Sequence, residues 1–178
     1  MTLTDAAYTL WGAFALYWLL AALAAKHGAP RRARRTRGLL LVAALVLARV
    51  FRSADLAVHN TPLRAAGMFL LVCGLAFAVW ARIYLGRNWG MPMTQKDEPE
   101  LVTAGPYSRV RHPIYSGLLL AILGTALATN LYWLFALVAF AVYFTYSAKV
   151  EERQLLASFP AAYPAYKART KMLIPFVL

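Results

Sequence analysis

Long apolar blocks dominate this chain, and they restrict it to folds in which lipid serves as much of the solvent. Five stand out, at about 6–25, 38–57, 65–85, 114–128 and 131–148. A helix needs roughly 20 residues to cross about 30 Å of hydrocarbon, and the first three blocks have that length. The fourth is short, and only Thr129-Asn130 separates it from the fifth. The pattern predicts an all-α integral membrane fold of about five transmembrane helices in one domain over 1–178. Its last two helices form a tight hairpin whose first arm begins in the interface at His112-Pro113. Composition agrees: 61% of the residues are hydrophobic and 15% charged, where soluble domains average about 45–50% apolar.

The net charge of +12 is read as topology, not as a nucleic-acid surface, because Lys and Arg accumulate in cytoplasmic loops beside anionic headgroups. With the N-terminus outside, the loop carrying Lys26, Arg31, Arg32, Arg34, Arg35 and Arg37 is cytoplasmic. So are the 82–112 segment and the tail after residue 148. Of the 19 basic residues only Arg49, Arg52 and Arg64 then fall elsewhere. The expected product is a multi-pass protein with its C-terminus and its chemistry at the cytoplasmic face. No cleavable leader is expected, since the first block lacks a basic lead and ends in Lys26-His27. The single cysteine, Cys73, lies in an apolar run, and the three histidines have no neighbours at ligand spacing, so no metal site is expected.

Three places could carry chemistry. In GPYSRVRHPIYSG (105–117), Gly105-Pro106 turns the chain and Pro113 suits the first position of a helix capped by His112. The amides of Ile114, Tyr115 and Ser116, flanked by Arg109 and Arg111, then make an anion site. The plain alternative is a capped helix entering the membrane between snorkelling arginines. Glu151-Glu152 forms a second cluster. Only seven acidic residues exist, and this adjacent pair either faces a cationic ligand or pairs with Lys149, Arg153 or Arg111. Third, Arg49 lies about 16 Å along the second apolar helix, near mid-membrane, where an ionisable group is a functional candidate; Arg52 and Asp55 can pair beside it. In the tail, Leu155, Phe159, Tyr163 and Tyr166 recur at amphipathic spacing, and Pro160 and Pro164 predict two short helices there. The chain has no GxGxxG after a strand, no GxxxxGK[ST] and no HExxH.

LVTAGPYSRVRHPIYSG (101–117), an apolar hairpin and then EERQLLASFPAAYPAYKARTKMLIPF (151–176) together resemble the isoprenylcysteine carboxyl methyltransferase family. The resemblance covers about residues 82–178. It implies a helical membrane enzyme using S-adenosyl-L-methionine, with a cofactor-binding loop, the hairpin and the tail making up 86–178. By position, Leu101, Val102, Tyr107, His112, Pro113, Ile114, Tyr115 and Glu151 would contact the cofactor, and Gln95 matches a family glutamine only across a gap. Glu151 and Arg111 are the candidate catalytic pair, and Arg49 and Ser147 the candidate acceptor residues. Where the family holds a substrate carboxylate with an arginine, this chain has Ser147. The implied acceptor is a lipophilic or lipidated molecule entering from the bilayer. A prenylcysteine-like carboxylate and an amine or phospholipid headgroup are both open. An NADPH-dependent membrane reductase and a non-catalytic scaffold are the readings of other classes.

Overall fold

The computed structural model describes residues 2–23, 56–86 and 100–174. Among these residues there are five α-helices, one 3-10 turn (Gly105–Ser108) and no strand: α1 (Leu3–Leu23), α2 (Thr61–Leu85), α3 (Pro113–Ala128), α4 (Trp133–Ser158) and α5 (Ala162–Arg169). The all-helical expectation holds for this part of the chain. Two of the helices, α2 and α4, are long and apolar enough to cross a membrane, and α3 is a shorter apolar helix. At 16 residues it is about 24 Å long, less than the thickness of hydrocarbon. Most of the second expected crossing, including Arg49, Arg52 and Asp55, lies outside the described residues, as does Gln95.

Each helix starts for a local reason. Thr2 and Asp5 cap α1 reciprocally: the Thr2 amide donates to Asp5 Oδ2 at 2.8 Å and the Asp5 amide to Thr2 Oγ1 at 3.1 Å. Asn60 caps α2 by accepting from the Leu63 amide at 2.9 Å. Pro113 opens α3 with His112 at the cap position, as its fixed φ favours. The hairpin turn is held by Asn130, whose Oδ1 accepts from the Tyr132 amide at 2.9 Å. The backbone of 56–58 also pairs with this turn, through Val58 N–H to Thr129 O and Leu131 N–H to Leu56 O, both at 3.0 Å.

The centre of the fold is the contact between α2 and α3, and it is made of small residues. A Cβ on Gly117 would lie 2.7 Å from both Ala78 N and Gly74 O, and one on Gly124 would lie 2.6 Å from Gly67 O. The two backbones therefore touch at Gly67–Gly124 and Gly74–Gly117, a packing that only small side chains permit. The first helix closes over this pair through Ala7 against Leu71, Leu75 and Ala121, and Trp11 Nε1 donates to Thr125 Oγ1 at 2.9 Å. Arginines tie both ends of α2 to carbonyls of its neighbours. Arg64 Nε donates to Ala128 O at 3.0 Å and buried Arg82 Nη2 to Ala21 O at 2.7 Å.

One expectation is corrected in the tail. The helix of the fifth apolar block, α4, continues past that block to Ser158, because Glu151–Ser158 is composed largely of good helix formers. Glu151 and Glu152 thus lie inside α4, and Leu155 with them. Phe159 caps the helix ahead of Pro160, and a single short helix, α5, follows. Pro164 sits in its first turn, where a missing amide costs little.

Candidate active site

Gly105 directs the chain into the site. Its φ is +58°, and a Cβ there would lie 2.5 Å from the Tyr84 ring, so the position excludes other residues twice over. The turn lays 109–112 alongside the tail in a short parallel pairing. The Arg111 amide donates to Lys171 O at 2.8 Å, the His112 amide to Met172 O at 3.1 Å, and the Lys171 amide to Arg109 O at 3.2 Å. Tyr166 donates its hydroxyl to Tyr107 O at 2.7 Å, and Ser116 donates to Leu173 O at 2.5 Å. Burial pushes the Tyr166 phenol up to about 12 and Tyr107 beyond the usual range. Both therefore remain neutral at physiological pH. We expect Tyr166→Phe to lower the thermal stability by about 1–3 kcal/mol, the cost of a buried carbonyl left without its donor; a thermal-shift assay in detergent checks it.

The buried cluster here joins Ala81, Tyr107, Ile114, Tyr115, Phe144, Ala148 and Leu173. Three rings stack through it. His112 and Tyr115 are parallel within 6° at 5.5 Å, and Tyr115 and Phe144 within 6° at 4.5 Å. Tyr115 Oη donates to Glu151 Oε1 at 2.5 Å, and Glu151 Oε2 lies 3.5 Å from His112 Nδ1. On the other side of the imidazole, Nε2 is 3.7 Å from Glu152 Oε1. Burial works against a charged His112, but the two flanking carboxylates prevail and raise its pKa above the ordinary value.

The two glutamates differ in setting. Glu152 is buried, accepting from Arg111 Nε at 2.6 Å and from Lys167 Nζ at 2.7 Å. The Glu151 side chain is 25% exposed. Arg111 was expected either as an anion ligand and catalytic residue beside the helix N-terminus or as a partner of the glutamate pair. Its side chain, 9% exposed, is held by Glu152 and by the carbonyl of Thr170 at 2.5 Å. The Ser116 amide is likewise taken, by His112 O at 3.1 Å, which narrows the expected anion site to Ile114 and Tyr115.

Of the other expected residues, Pro113 is fully buried, Leu101 and Val102 are half-buried, and Val102 packs on the same cluster. Ser147 is fully buried one turn before Glu151, with no partner in bonding geometry for its hydroxyl. Sequence reasoning missed Phe144 and the centrality of Glu152. Phe144 stands seven residues before Glu151, a spacing that puts both on one helix face.

The family model for phospholipid methyltransferases matches residues 63–162, more than half of the chain and nearly all of the site. The chain belongs to the phospholipid methyltransferase family. It is 44% identical over 69 residues to methanethiol S-methyltransferase 2 of Bradyrhizobium diazoefficiens, covering 39% of this chain and 26% of that one. It is 33% identical over 109 residues to the nickel-cobalt-cadmium resistance protein NccN of Alcaligenes xylosoxydans xylosoxydans, covering 60% and 50%. The chain thus spans between a quarter and half of the length of these curated relatives. Among solved structures it resembles the eukaryotic intramembrane Ras methyltransferase ICMT, isoprenylcysteine carboxyl methyltransferase. The TM-score is 0.58 and the identity 27%, over 65% of this chain and 43% of that one. The chain is accordingly an integral membrane protein of a methyltransferase family, and the resemblance to the isoprenylcysteine enzymes seen in its motifs extends to the fold.

Proposed function

We propose that this chain transfers a methyl group from S-adenosyl-L-methionine to a lipophilic acceptor that reaches the site from the bilayer. The observation that carries the reading is the half-buried Glu151 carboxylate beside the stacked rings of His112, Tyr115 and Phe144, at the N-terminus of α3. These groups fit the cofactor's chemistry: a carboxylate and aromatic faces for its cationic centres, and the helix N-terminus for its own carboxylate. Leu101, Val102, Tyr107, His112, Pro113, Ile114, Tyr115 and Glu151 would hold it, with Gln95 from the loop. When bound, the cofactor supplies an electrophilic methyl on a sulfonium. The protein's task is then to align the acceptor for in-line attack and to exclude water. Arg111 is assigned a structural part, holding the tail against the site.

The buried arginines among the described residues are committed, Arg111 to Glu152 and Arg82 to backbone carbonyls, and Ser147 carries no charge. This favours an acceptor with a neutral nucleophile, an amine or a thiol, over a prenylcysteine-like carboxylate; Arg49 is the remaining candidate partner for a carboxylate. The thiol reading also agrees with the activity in the name of the methanethiol S-methyltransferase relative. We further assign about five crossings, with the N-terminus outside and the site cytoplasmic. The described basic residues other than Arg64 gather at the site end, on α2's last turn, 109–111, α4 and the tail.

Calorimetric titration of the detergent-purified protein tests the proposal. Micromolar binding of S-adenosylmethionine and S-adenosylhomocysteine, with none of NADPH, is the expected result. Binding of NADPH alone would replace it with a reductase. Methyl transfer to lipid amines, thiols and prenylcysteine analogues then sorts the acceptors.

A further inference from the structure

We propose that the outward face of α4 is a seat for one anionic phospholipid of the surrounding bilayer. Along this helix Phe135, Val138, Val142, Tyr146, Lys149 and Arg153 recur at spacings of three and four. At 3.6 residues per turn they share an arc of about 80°. All six are exposed, and the first four are each at least 56% exposed. Phe144, Ser147 and Glu151 fall on the opposite arc, the first two buried and the third bonded to Tyr115. The stripe is thus turned away from the chemistry.

Its order from end to end is that of a phospholipid. From Phe135 to Tyr146 the apolar run rises about 16 Å, close to one leaflet's share of about 30 Å of hydrocarbon. Tyr146 follows where an interfacial ring is favoured. Lys149 and Arg153 come within the next two turns, at headgroup depth, where long basic side chains bend back towards the interface. The second helix offers the comparison. Exposed Phe69, Val72, Trp80 and Ile83 make a similar apolar stripe on α2, but Arg82 in its last turn is buried and bonded to backbone carbonyls. Of the two stripes, that of α4 ends in exposed charge.

The two cations also call for an anion. Lys149 and Arg153 are i, i+4 neighbours of like charge, an arrangement that destabilises a helix. Among the described residues no acidic side chain is bonded to either one: Glu152 is held by Arg111 and Lys167, and Glu151 by Tyr115. A phosphodiester between the two side chains relieves the repulsion while its acyl chain lies along Val142, Val138 and Phe135. A free phosphate would meet the charge but leave the apolar run unused, so the seat is assigned to the lipid. The assignment rests on α4 crossing the membrane and is independent of the reaction performed at the site.

Native mass spectrometry of the detergent-purified protein, titrated with phosphatidylglycerol or phosphatidylcholine, tests the assignment. Two cations at an anionic headgroup should favour phosphatidylglycerol roughly 25-fold. Lys149→Gln combined with Arg153→Gln should bring the two lipids to within about threefold of each other. Arg169→Gln, which removes an exposed cation of α5, should keep the preference, and excess inorganic phosphate should leave the lipid in place. Equal retention of both lipids by the unmodified protein overturns the assignment, whether or not the double variant folds. So does a folded double variant that keeps the preference. A preference lost equally in Arg169→Gln overturns it in favour of diffuse attraction by the whole basic end. Displacement by inorganic phosphate would make the seat one for a free anion, and a lipid-free dimer would make the stripe an interface between copies; either result overturns it.

Discussion

Gly124→Leu should abolish the fold in detergent, seen as loss of a monodisperse peak on gel filtration and of a cooperative thermal transition. The new Cβ would lie 2.6 Å from Gly67 O and closer still to Leu71 N. Both are backbone atoms, so no side-chain rotation relieves the clash. The helices must separate along a contact that also contains Gly74 and Gly117, and α1 packs on that pair. Overpacking of ordinary cores costs about 1–3 kcal/mol. A clash of backbone on backbone should exceed that, against a total stability of about 5–15 kcal/mol for a typical domain. Gly12→Leu is the matched control, because nothing lies within 4 Å of a Cβ there; its effect should stay within about 1 kcal/mol. A Gly124→Leu protein that elutes and melts like the unmodified one would mean that α2 and α3 do not pack through these glycines.

That interface also marks the limit of what could be read from the sequence. Gly67 and Gly74 recur at seven residues, as do Gly117 and Gly124. Each pair is unremarkable within an apolar block and gains meaning only once the two blocks are set face to face. The local signals were readable: Pro113 at a helix start, Gly105-Pro106 at a turn, and Thr129-Asn130 at a hairpin too short for anything but antiparallel neighbours. What stayed open depended on distant partners. Arg111 was read both as an anion ligand beside the helix N-terminus and as a partner for the glutamate pair, and the fold gives it Glu152, 41 residues away. Glu151 and Glu152 fall just past the fifth apolar block, where hydropathy drops at Lys149, whereas backbone propensity carries α4 on to Ser158. The motif residues were named from a resemblance, and the fold brings Tyr107, Ile114 and Tyr115 into one buried cluster with Phe144, with His112 stacked at its edge on Tyr115.

Glu151→Gln isolates the one property on which the site assignment depends. The amide has the shape of the carboxylate and still accepts from Tyr115 Oη, so packing of the three-ring stack is retained and the protein should fold. What it lacks is the negative charge beside the ring stack. A hydrogen bond to a charged group contributes about 1.5–3 kcal/mol, so affinity for S-adenosylmethionine should fall roughly 10- to 150-fold, at about 1.4 kcal/mol per factor of ten. Methyl transfer at subsaturating cofactor should fall at least as far. Tyr115→Phe keeps the charge and removes only the group that orients one oxygen; its loss should be smaller, about tenfold or less. The order of the two variants is therefore diagnostic. If Tyr115→Phe weakens binding more than Glu151→Gln does, the carboxylate is there to hold the tyrosine rather than a cation. If neither changes the affinity measured by calorimetry, the cofactor does not bind at this end of α3. A loss confined to Glu151→Gln, with the fold intact, identifies the carboxylate as the ligand for a positive charge.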